Sequence, residues 1–431
     1  MLDQTEMLTG QQEIANLAKQ APDMSFTSLN KHLTIEWLKE AYDRTRKDGA
    51  PGVDGQTSDE YEKNLQKNLE DLLERMKSGK YFAPPVKRAH IPKGNGETRP
   101  LGIATFEDKI AQRAIHMILE PIYEQDFYEC SYGFRPKRTA HDCVKAINET
   151  AYGWGGGYVI DLDIRKYFDS IDKSILREIL QERVRDGVIK RLLNKWLKAG
   201  VWEKGEVSFS DKGTPQGAVI SPLLANIYLH RVLDQWFHEM VKPVLQSEAR
   251  LFRFADDAII VCRNEQDARR IMNTISKRFN KFGLKVHPEK TKLVDYTRPK
   301  TARGKGESFD FLGFTFYWGK SRRGKRIPKM KTAKDRFARG IRKVKEQCKG
   351  MRHWPIERQQ WRLNSMLQGH YNYYGVSHNF RMLKKFFHIT KRTWKYWLQR
   401  RSQRRDLNWE KLDAILSRCP LKRPRICVPL F

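Results

Sequence analysis

Two short apolar segments carry carboxylates where a strand would present them, and this constrains the chain more than any other feature. In YVIDLDI (158–164) the residues alternate, so Tyr158, Ile160, Leu162 and Ile164 are expected on one face and Val159, Asp161 and Asp163 on the other. LFRFADDAIIVC (251–262) reads as two short strands around a tight turn that carries Asp256 and Asp257. A sheet that sets these strands side by side gathers acidic oxygens at one end. Hard oxygen ligands suit magnesium, and phosphoryl transfer from a nucleoside triphosphate needs the attacking and leaving oxygens neutralised together, typically by two ions roughly 4 Å apart. Taken singly, each element is weak, because D-x-D is common on strands and an Asp-Asp turn is usually just solvated.

The surrounding pattern reads as mixed helix and sheet. Residues 31–80 are helical and amphipathic, broken by the turn cluster DGAPGVDG (48–55). Phe82 to Gly102, with four prolines and the turn KGNGE (93–97), suits a basic β-hairpin. Helices are expected at 106–120, 139–151 and about 173–199, and GWGGG (153–157) reads as a flexible lead-in to a strand rather than a phosphate loop. Ser221 is a candidate N-cap, with Pro222 in the first turn of the helix that follows. A helix over 265–283, a strand at 284–286, a strand pair in FDFLGFTFYW (309–318) and a linker at 298–306 complete the reading.

Charge is distributed unevenly. Residues 1–295 hold 46 Lys/Arg against 43 Asp/Glu, whereas residues 296–431 hold 36 against 8. So basic a segment would repel itself without a polyanion, which points to nucleic acid. Six cysteines without a C-x-x-C spacing argue against a zinc site or a disulfide framework and suit buried, reduced thiols. No apolar run approaches the roughly 18 to 20 residues of a membrane span, and the N-terminus has no signal pattern. The expectation is a soluble protein without a membrane partner, located in the cytoplasm (bacterial cytosol or nucleoid).

Order and spacing sharpen the picture. GVDG (52–55), IPKGNGETRPLGIAT (91–105), SYGFRPKRTAHD (131–142), DLDIRKYFDSID (161–172), GTPQGAVISPLLANIYL (213–229), FRFADDAIIV (252–261) and FDFLGFTF (309–316) follow one another along the chain. In this succession the sequence resembles the group II intron-encoded reverse transcriptase/maturase family, from about residue 30 to 400. LNSMLQGHYNYY (363–374) and RTWKYW (392–397) resemble that family's maturase, or thumb, region.

The resemblance implies an α+β right-hand polymerase: an N-terminal extension and fingers over 1–155, a palm with an antiparallel sheet over 156–300, and a basic helical thumb/maturase region over 301–431. It implies that Asp163, Asp256 and Asp257 bind two Mg2+ ions, with Mn2+ as a substitute. Ile164 accompanies them as a metal and nucleotide contact, and Asp161 and Asp169 are the neighbours to reject. Phe168 matches the bulky ring that excludes a 2′-hydroxyl, and Gln216 the residue beside the incoming nucleotide. Lys87, Lys93 and Arg99, six residues apart on the hairpin, match a clamp on the triphosphate. Lys290 in HPEKTK matches a lysine that protonates the leaving pyrophosphate, while His287 reads as a loop residue. Phe254 stands where the family usually has tyrosine, which bears on subfamily and leaves the ligands intact.

By the same resemblance the partners are group II intron RNA, an RNA template with a DNA primer, deoxynucleoside triphosphates and a DNA target. Arg322, Arg323, Lys325, Lys391, Arg392, Trp397, Arg400 and Arg401 are the candidate RNA contacts, combining cations for phosphates with rings for stacking. Leu363, Leu367 and Trp361 are expected in the helical core. Many relatives carry a cysteine/histidine-containing nuclease domain after the maturase region; those spacings do not occur here, so second-strand DNA cleavage is not expected. Two other readings stay open: a free-standing relative recruited to host DNA repair or phage defence, and a polymerase-inactive RNA-binding splicing factor.

Overall fold

The computed structural model describes residues 2–92, 98–210, 212–213, 217–301, 304, 306–401 and 407–430, with side chains from Thr9 onward and without that of Arg99. The chain begins with α1 (Leu2–Gln20), α2 (Ile35–Asp43), α3 (Ser58–Glu62) and α4 (Leu65–Ser78), then the hairpin β1 (Val86–Pro92) and β2 (Thr98–Ile103). There follow α5 (Phe106–Asp126), α6 (Ala140–Trp154), β3 (Tyr158–Leu162), α7 (Tyr167–Ser170), α8 (Lys173–Arg183), α9 (Gly187–Lys198), β4 (Val201–Glu203), β5 (Glu206–Ser208) and α10 (Ser221–Leu229). A π-helical run, His230–Val241, leads to β6 (Ala249–Phe254), β7 (Asp257–Cys262), α11 (Glu265–Lys281) and β8 (Lys292–Asp295). The rest is β9 (Phe309–Phe311), β10 (Phe314–Lys320), β11 (Arg326–Thr332), α12 (Lys334–Gly350), α13 (Ile356–Tyr374), α14 (Phe380–Leu398) and α15 (Trp409–Arg418). None of the described helices is long and apolar enough to cross a membrane.

The chain divides into two compact units: Met1–Arg138 with Leu162–Ile260 and Gln266–Lys292, and Thr139–Asp161 with Val261–Glu265 and Leu293–Phe431. In the first, α5 buries Ile110, Ala114, Ile115, Ile118, Leu119 and Ile122. Pro121 lies inside this helix and cannot donate to the carbonyl of Met117; Gln11 Nε2 of α1 donates to that oxygen instead, at 3.1 Å. Trp37 Nε1 of α2 donates to Ala114 O at 2.9 Å, fixing α2 on the same helix.

The basic hairpin forms in the register Lys87↔Ile103 through Pro92↔Thr98. Its sheet is larger than the sequence pattern indicated, with the order β2-β1-β4-β5. The additional β4–β5 hairpin turns at Lys204 (φ 52°) and Gly205 (φ 95°), the paired positive angles that two-residue hairpins favour. Ser221 is the first residue of α10 rather than its cap. Ile220 holds the cap position without a side-chain bond, and its N–H donates to Gln112 Oε1 of α5 at 3.3 Å, so a buried side chain from another helix does the capping. The sheet in the order β6-β7-β3-β8 carries both acidic segments.

In the second unit β9, β10 and β11 form an antiparallel meander, with Phe309 stacked on Phe316 at 4.9 Å. GWGGG ends α6 and leads into β3, and two of its glycines are tightly packed. A Cβ at Gly156 would come within 2.1 Å of Tyr296 O, and one at Gly157 within 2.5 Å of Cys262 O, so these glycines admit close backbone approach. Helices α12 to α15 enclose a core of Val344, Leu363, Leu367, Tyr371, Phe386 and Trp394. Trp394 Nε1 donates to Gln359 Oε1 at 2.9 Å, which satisfies the indole inside that core. Trp361 departs from expectation, being 65% exposed. Leu363, Leu367 and Tyr371 set the buried stripe of α13, and a residue two positions before Leu363 lies about 200° round the helix. Of the cysteines, Cys130, Cys143, Cys262 and Cys348 are buried free thiols.

Candidate active site

Asp163 follows the end of β3 and is gripped by the loop 285–291. Its N–H donates to Thr291 Oγ1 at 3.3 Å, and its carbonyl accepts the His287 N–H at 2.8 Å. Ile164 bridges Val286 and is buried, and the Arg165 N–H donates to Lys285 O at 2.8 Å. The strand expected at 284–286 is therefore a single bridge that ties this loop to the end of β3. The Asp163 carboxylate stays about one third exposed, and Lys290 Nζ lies 3.5 Å from its Oδ2.

Asp256 and Asp257 occupy the turn from β6 to β7, half-buried and exposed respectively. Ala255 before them adopts φ 58°, and Lys166, three residues after Asp163, adopts φ 46°. Such left-handed angles are unusual for non-glycine residues and concentrate at functional sites. The sheet order makes β3 the neighbour of β7, and Gly157 before β3 lies on Cys262 at the end of β7. The donor chemistry fits a hard divalent cation. Among the described residues no group of three His, Cys, Asp or Glu is placed to hold an ion. Asp161 is half-buried on β3, Asp169 is exposed, and Asp172 caps α8 by accepting from Ser174 N (2.9 Å) and Ile175 N (3.2 Å).

Phe168 is half-buried beside Tyr167, whose hydroxyl donates to Ala225 O at 2.6 Å. Gly213 (φ 86°) lies against the backbone of Phe168 and Asp169, and Gly217 (φ 106°) against Leu101 and Gly102 of β2. Gln216 and Lys93 lie outside the described residues. Lys87 is half-buried on β1; the register pairs Ile91 with Arg99, so positions 87 and 99 share the parity of one sheet face. Sequence reasoning missed the cavity of about 300 Å³ lined by Arg88, Asp169, Lys173, Lys212 and Gly213. Its polar groups come from separated segments, and the unrecognised β4–β5 hairpin supplies Val201 and Ser208 to its wall.

In the second unit Arg322, Arg323 and Lys325 are exposed on the turn between β10 and β11. Lys391 is paired with Asp413 at 2.9 Å, and Arg401 donates to Trp354 O at 3.0 Å. Arg392 is exposed, Trp397 is half-buried, and Arg400 sits 3.5 Å over the ring of Tyr396. Tyr396, Trp397, Arg392 and Lys345 line a cavity of about 480 Å³ between α12 and α14.

Residues 91–316, more than half of the chain, match the family described as reverse transcriptase (RNA-dependent DNA polymerase). Protein YkfC of Escherichia coli (strain K12) is 39% identical over 236 residues, 53% of this chain and 62% of that protein. The group II intron-encoded protein LtrA of Lactococcus lactis subsp. cremoris is 38% identical over 195 residues, 45% of this chain and 31% of that protein. An uncharacterized 91 kDa protein in the cob intron of Schizosaccharomyces pombe is 27% identical over 372 residues, 72% of this chain and 46% of that protein. This chain thus covers less than two thirds of the length of each of these relatives. All of the motif blocks from IPKGNGETRPLGIAT (91–105) to FDFLGFTF (309–316) fall inside the matched region, and the chain belongs to the reverse transcriptase (RNA-dependent DNA polymerase) family, in its group II intron reverse transcriptase/maturase branch.

Proposed function

We propose that this chain extends a DNA primer on an RNA template by two-metal nucleotidyl transfer, and that it assists group II intron RNA in splicing and retromobility. In this reading residues 1–155 are the N-terminal extension and fingers, 156–300 the palm and 301–431 the thumb/maturase region. What supports the reading is that the segments carrying Asp163 and the Asp256–Asp257 turn belong to neighbouring strands of one sheet, inside the region that matches the family. The maturase half is supported by the intron-encoded relatives and by the excess of 36 Lys/Arg over 8 Asp/Glu after residue 295.

Asp163, Asp256 and Asp257, with Ile164, would hold the ions. When bound, two Mg2+ ions (or Mn2+) supply neutralisation of the charge that develops on the primer 3′-oxygen and the leaving pyrophosphate. The protein's own groups do the rest. Lys87, Lys93 and Arg99 balance the triphosphate, Gln216 packs beside the nucleotide, Phe168 excludes a ribose 2′-hydroxyl by volume, and Lys290 gives a proton to the pyrophosphate. DNA binding at an insertion target and RNA binding through residues 301–431 complete the cycle.

The deciding experiment is primer extension on an RNA template with Mg2+. Asp163→Ala and Asp256→Ala should lower extension by about a thousandfold or more while RNA binding persists, and Asp161→Ala should retain most activity. Near-normal extension by Asp163→Ala would sink the assignment. For the maturase half, the protein should lower the Mg2+ that its cognate intron needs to splice; an unchanged requirement would leave the polymerase alone.

A further inference from the structure

The carboxylate turn is held from behind by a buried cation, which the polymerase chemistry does not itself use. After Phe254 the backbone reverses within two residues, and Ala255 takes a left-handed φ of 58°. Beneath it lies Arg253, with no exposed surface. Its Nε and Nη2 donate to the two oxygens of Asp234 at 2.8 and 2.6 Å, and its Nη1 donates to Asn226 Oδ1 at 2.8 Å and to Ala255 O at 3.1 Å. Asn226 Nδ2 in turn donates to Gly133 O at 2.7 Å. Gly133 lies so close to the turn that a Cβ there would come within 2.3 Å of Ala255 N. The main chain of Arg253 is held as well, its N–H donating to Cys130 O and its carbonyl accepting from Tyr132 N, both at 2.8 Å.

We propose that Arg253, clamped by Asp234 and Asn226, is a positioning residue that sets the place of the Asp256–Asp257 turn. The proposal rests on the polymerase reading above. A plain ion pair would satisfy Asp234 and stop there. Here the same guanidinium reaches the carbonyl that precedes Asp256, and through Asn226 the strip of backbone that covers the turn. Only a planar fork with several donors makes these bonds at once; a lysine keeps the charge for Asp234 and loses the fork. Asp234 is offered from the π-helical run, a geometry that is rare and frequent at functional sites. Burial works against a charge on Asp234, yet the Arg253 guanidinium bonded to it, with the His230 ring 3.6 Å away, holds its carboxyl down at about 2.

The test uses the full chain and three variants: Arg253→Lys, Asn226→Ala, and the double change Asp234→Leu with Arg253→Met, which replaces the buried pair by apolar side chains and leaves no lone charge. For the variants that melt as the wild type does, kcat for primer extension should fall at least tenfold, and the Mg2+ concentration giving half-maximal rate should rise several-fold. KM for the deoxynucleotide and affinity for template–primer should stay near wild type. A pair with a merely structural role would move the melting temperature and leave the Mg2+ dependence alone. If the double variant fails to fold, Arg253→Lys and Asn226→Ala still decide. Wild-type kcat and Mg2+ dependence in Arg253→Lys, with extension abolished by Asp163→Ala, overturns this inference and leaves the polymerase reading standing. Extension surviving in Asp163→Ala overturns both.

Discussion

Lys290 Nζ stands 3.5 Å from the Asp163 carboxylate, on a loop whose next residue, Thr291, takes the Asp163 N–H. One short segment thus holds the backbone of the first proposed metal ligand and carries a cation beside its side chain. The ammonium is largely exposed, so it is free to leave Asp163 for a bound pyrophosphate. Lys290→Ala should lower kcat for extension by about 10²-fold, within the range of general acid catalysis, with little change in KM for the nucleotide. Lys290→Arg separates charge from proton transfer, because an arginine does not release its proton. An arginine variant as slow as the alanine one supports proton donation; an arginine variant restored to wild-type kcat would reduce Lys290 to a counter-charge.

Phe168 is half-buried, and Gly213 lies against the backbone of Phe168 and Asp169. Phe168→Val should shorten this side chain and raise the ratio of kcat/KM for ribonucleotide over deoxyribonucleotide by about tenfold or more, at the scale of one lost contact. Single-nucleotide incorporation with each sugar measures it. An unmoved ratio in a folded variant would return Phe168 to the core.

The carboxylate strands were legible because alternation and turn chemistry are local: YVIDLDI and LFRFADDAIIVC became β3, β6 and β7 as read. The loop after α11 was not, since Val286 makes only a bridge to Ile164 and its meaning comes from tertiary bonds to Asp163. The β4–β5 hairpin escaped because its strands are three residues each, too short for periodicity. Trp361 was misread because a tryptophan near an apolar stripe suggests core, whereas its angle to Leu363 turns it outward. Arg253 was invisible as a support: nothing local to FRFADD announces Asp234 and Asn226, which are brought beneath it by α10 and the π-helical run.

The structure refines which cations of the basic third should matter. Lys391 is engaged by Asp413 and Arg401 by Trp354 O, while Arg322, Arg323 and Lys325 are exposed together on one turn. Neutralising Arg322, Arg323 and Lys325 together should weaken RNA binding and reduce the slope of log affinity against log salt by about 2, at roughly 0.7 to 0.9 per phosphate contact. Lys391→Gln should change the slope far less. Equal effects from the two sets, measured by binding titrations from low to moderate salt, would show that the Lys391–Asp413 pair opens to bind RNA.

Acid should weaken the second unit chiefly through His370, with His378, lowered by burial and by Lys329, acting in the same direction. His370 stacks on Phe386 at 3.7 Å and 6°, and its buried Nε2 has no hydrogen-bond partner among the described residues. Burial lowers its pKa from the usual 6.5 to about 4. Between those values the unfolded chain binds the proton and the folded one does not, so stability is complete above about pH 6.5 and falls as pH falls toward 4. At pH 5 the loss is about 2 kcal/mol. In the first unit His116, lowered to about 4 by burial and by Arg113 and Arg44, acts in the same direction. Asp108 opposes it: burial pushes its carboxyl up to about 6 despite the donors Tyr81, Trp196 and Gln112, so there the folded state binds the extra proton and gains as pH falls from 6. These two largely offset each other, whereas His370 is shifted by burial alone. His370→Phe keeps the stack on Phe386 and removes the titration. Its melting temperature should equal or exceed that of the wild type at pH 7.5, and its advantage should grow as the pH is lowered to 5. Parallel curves for the two proteins across that range would show that His370 is not the acid-sensitive group.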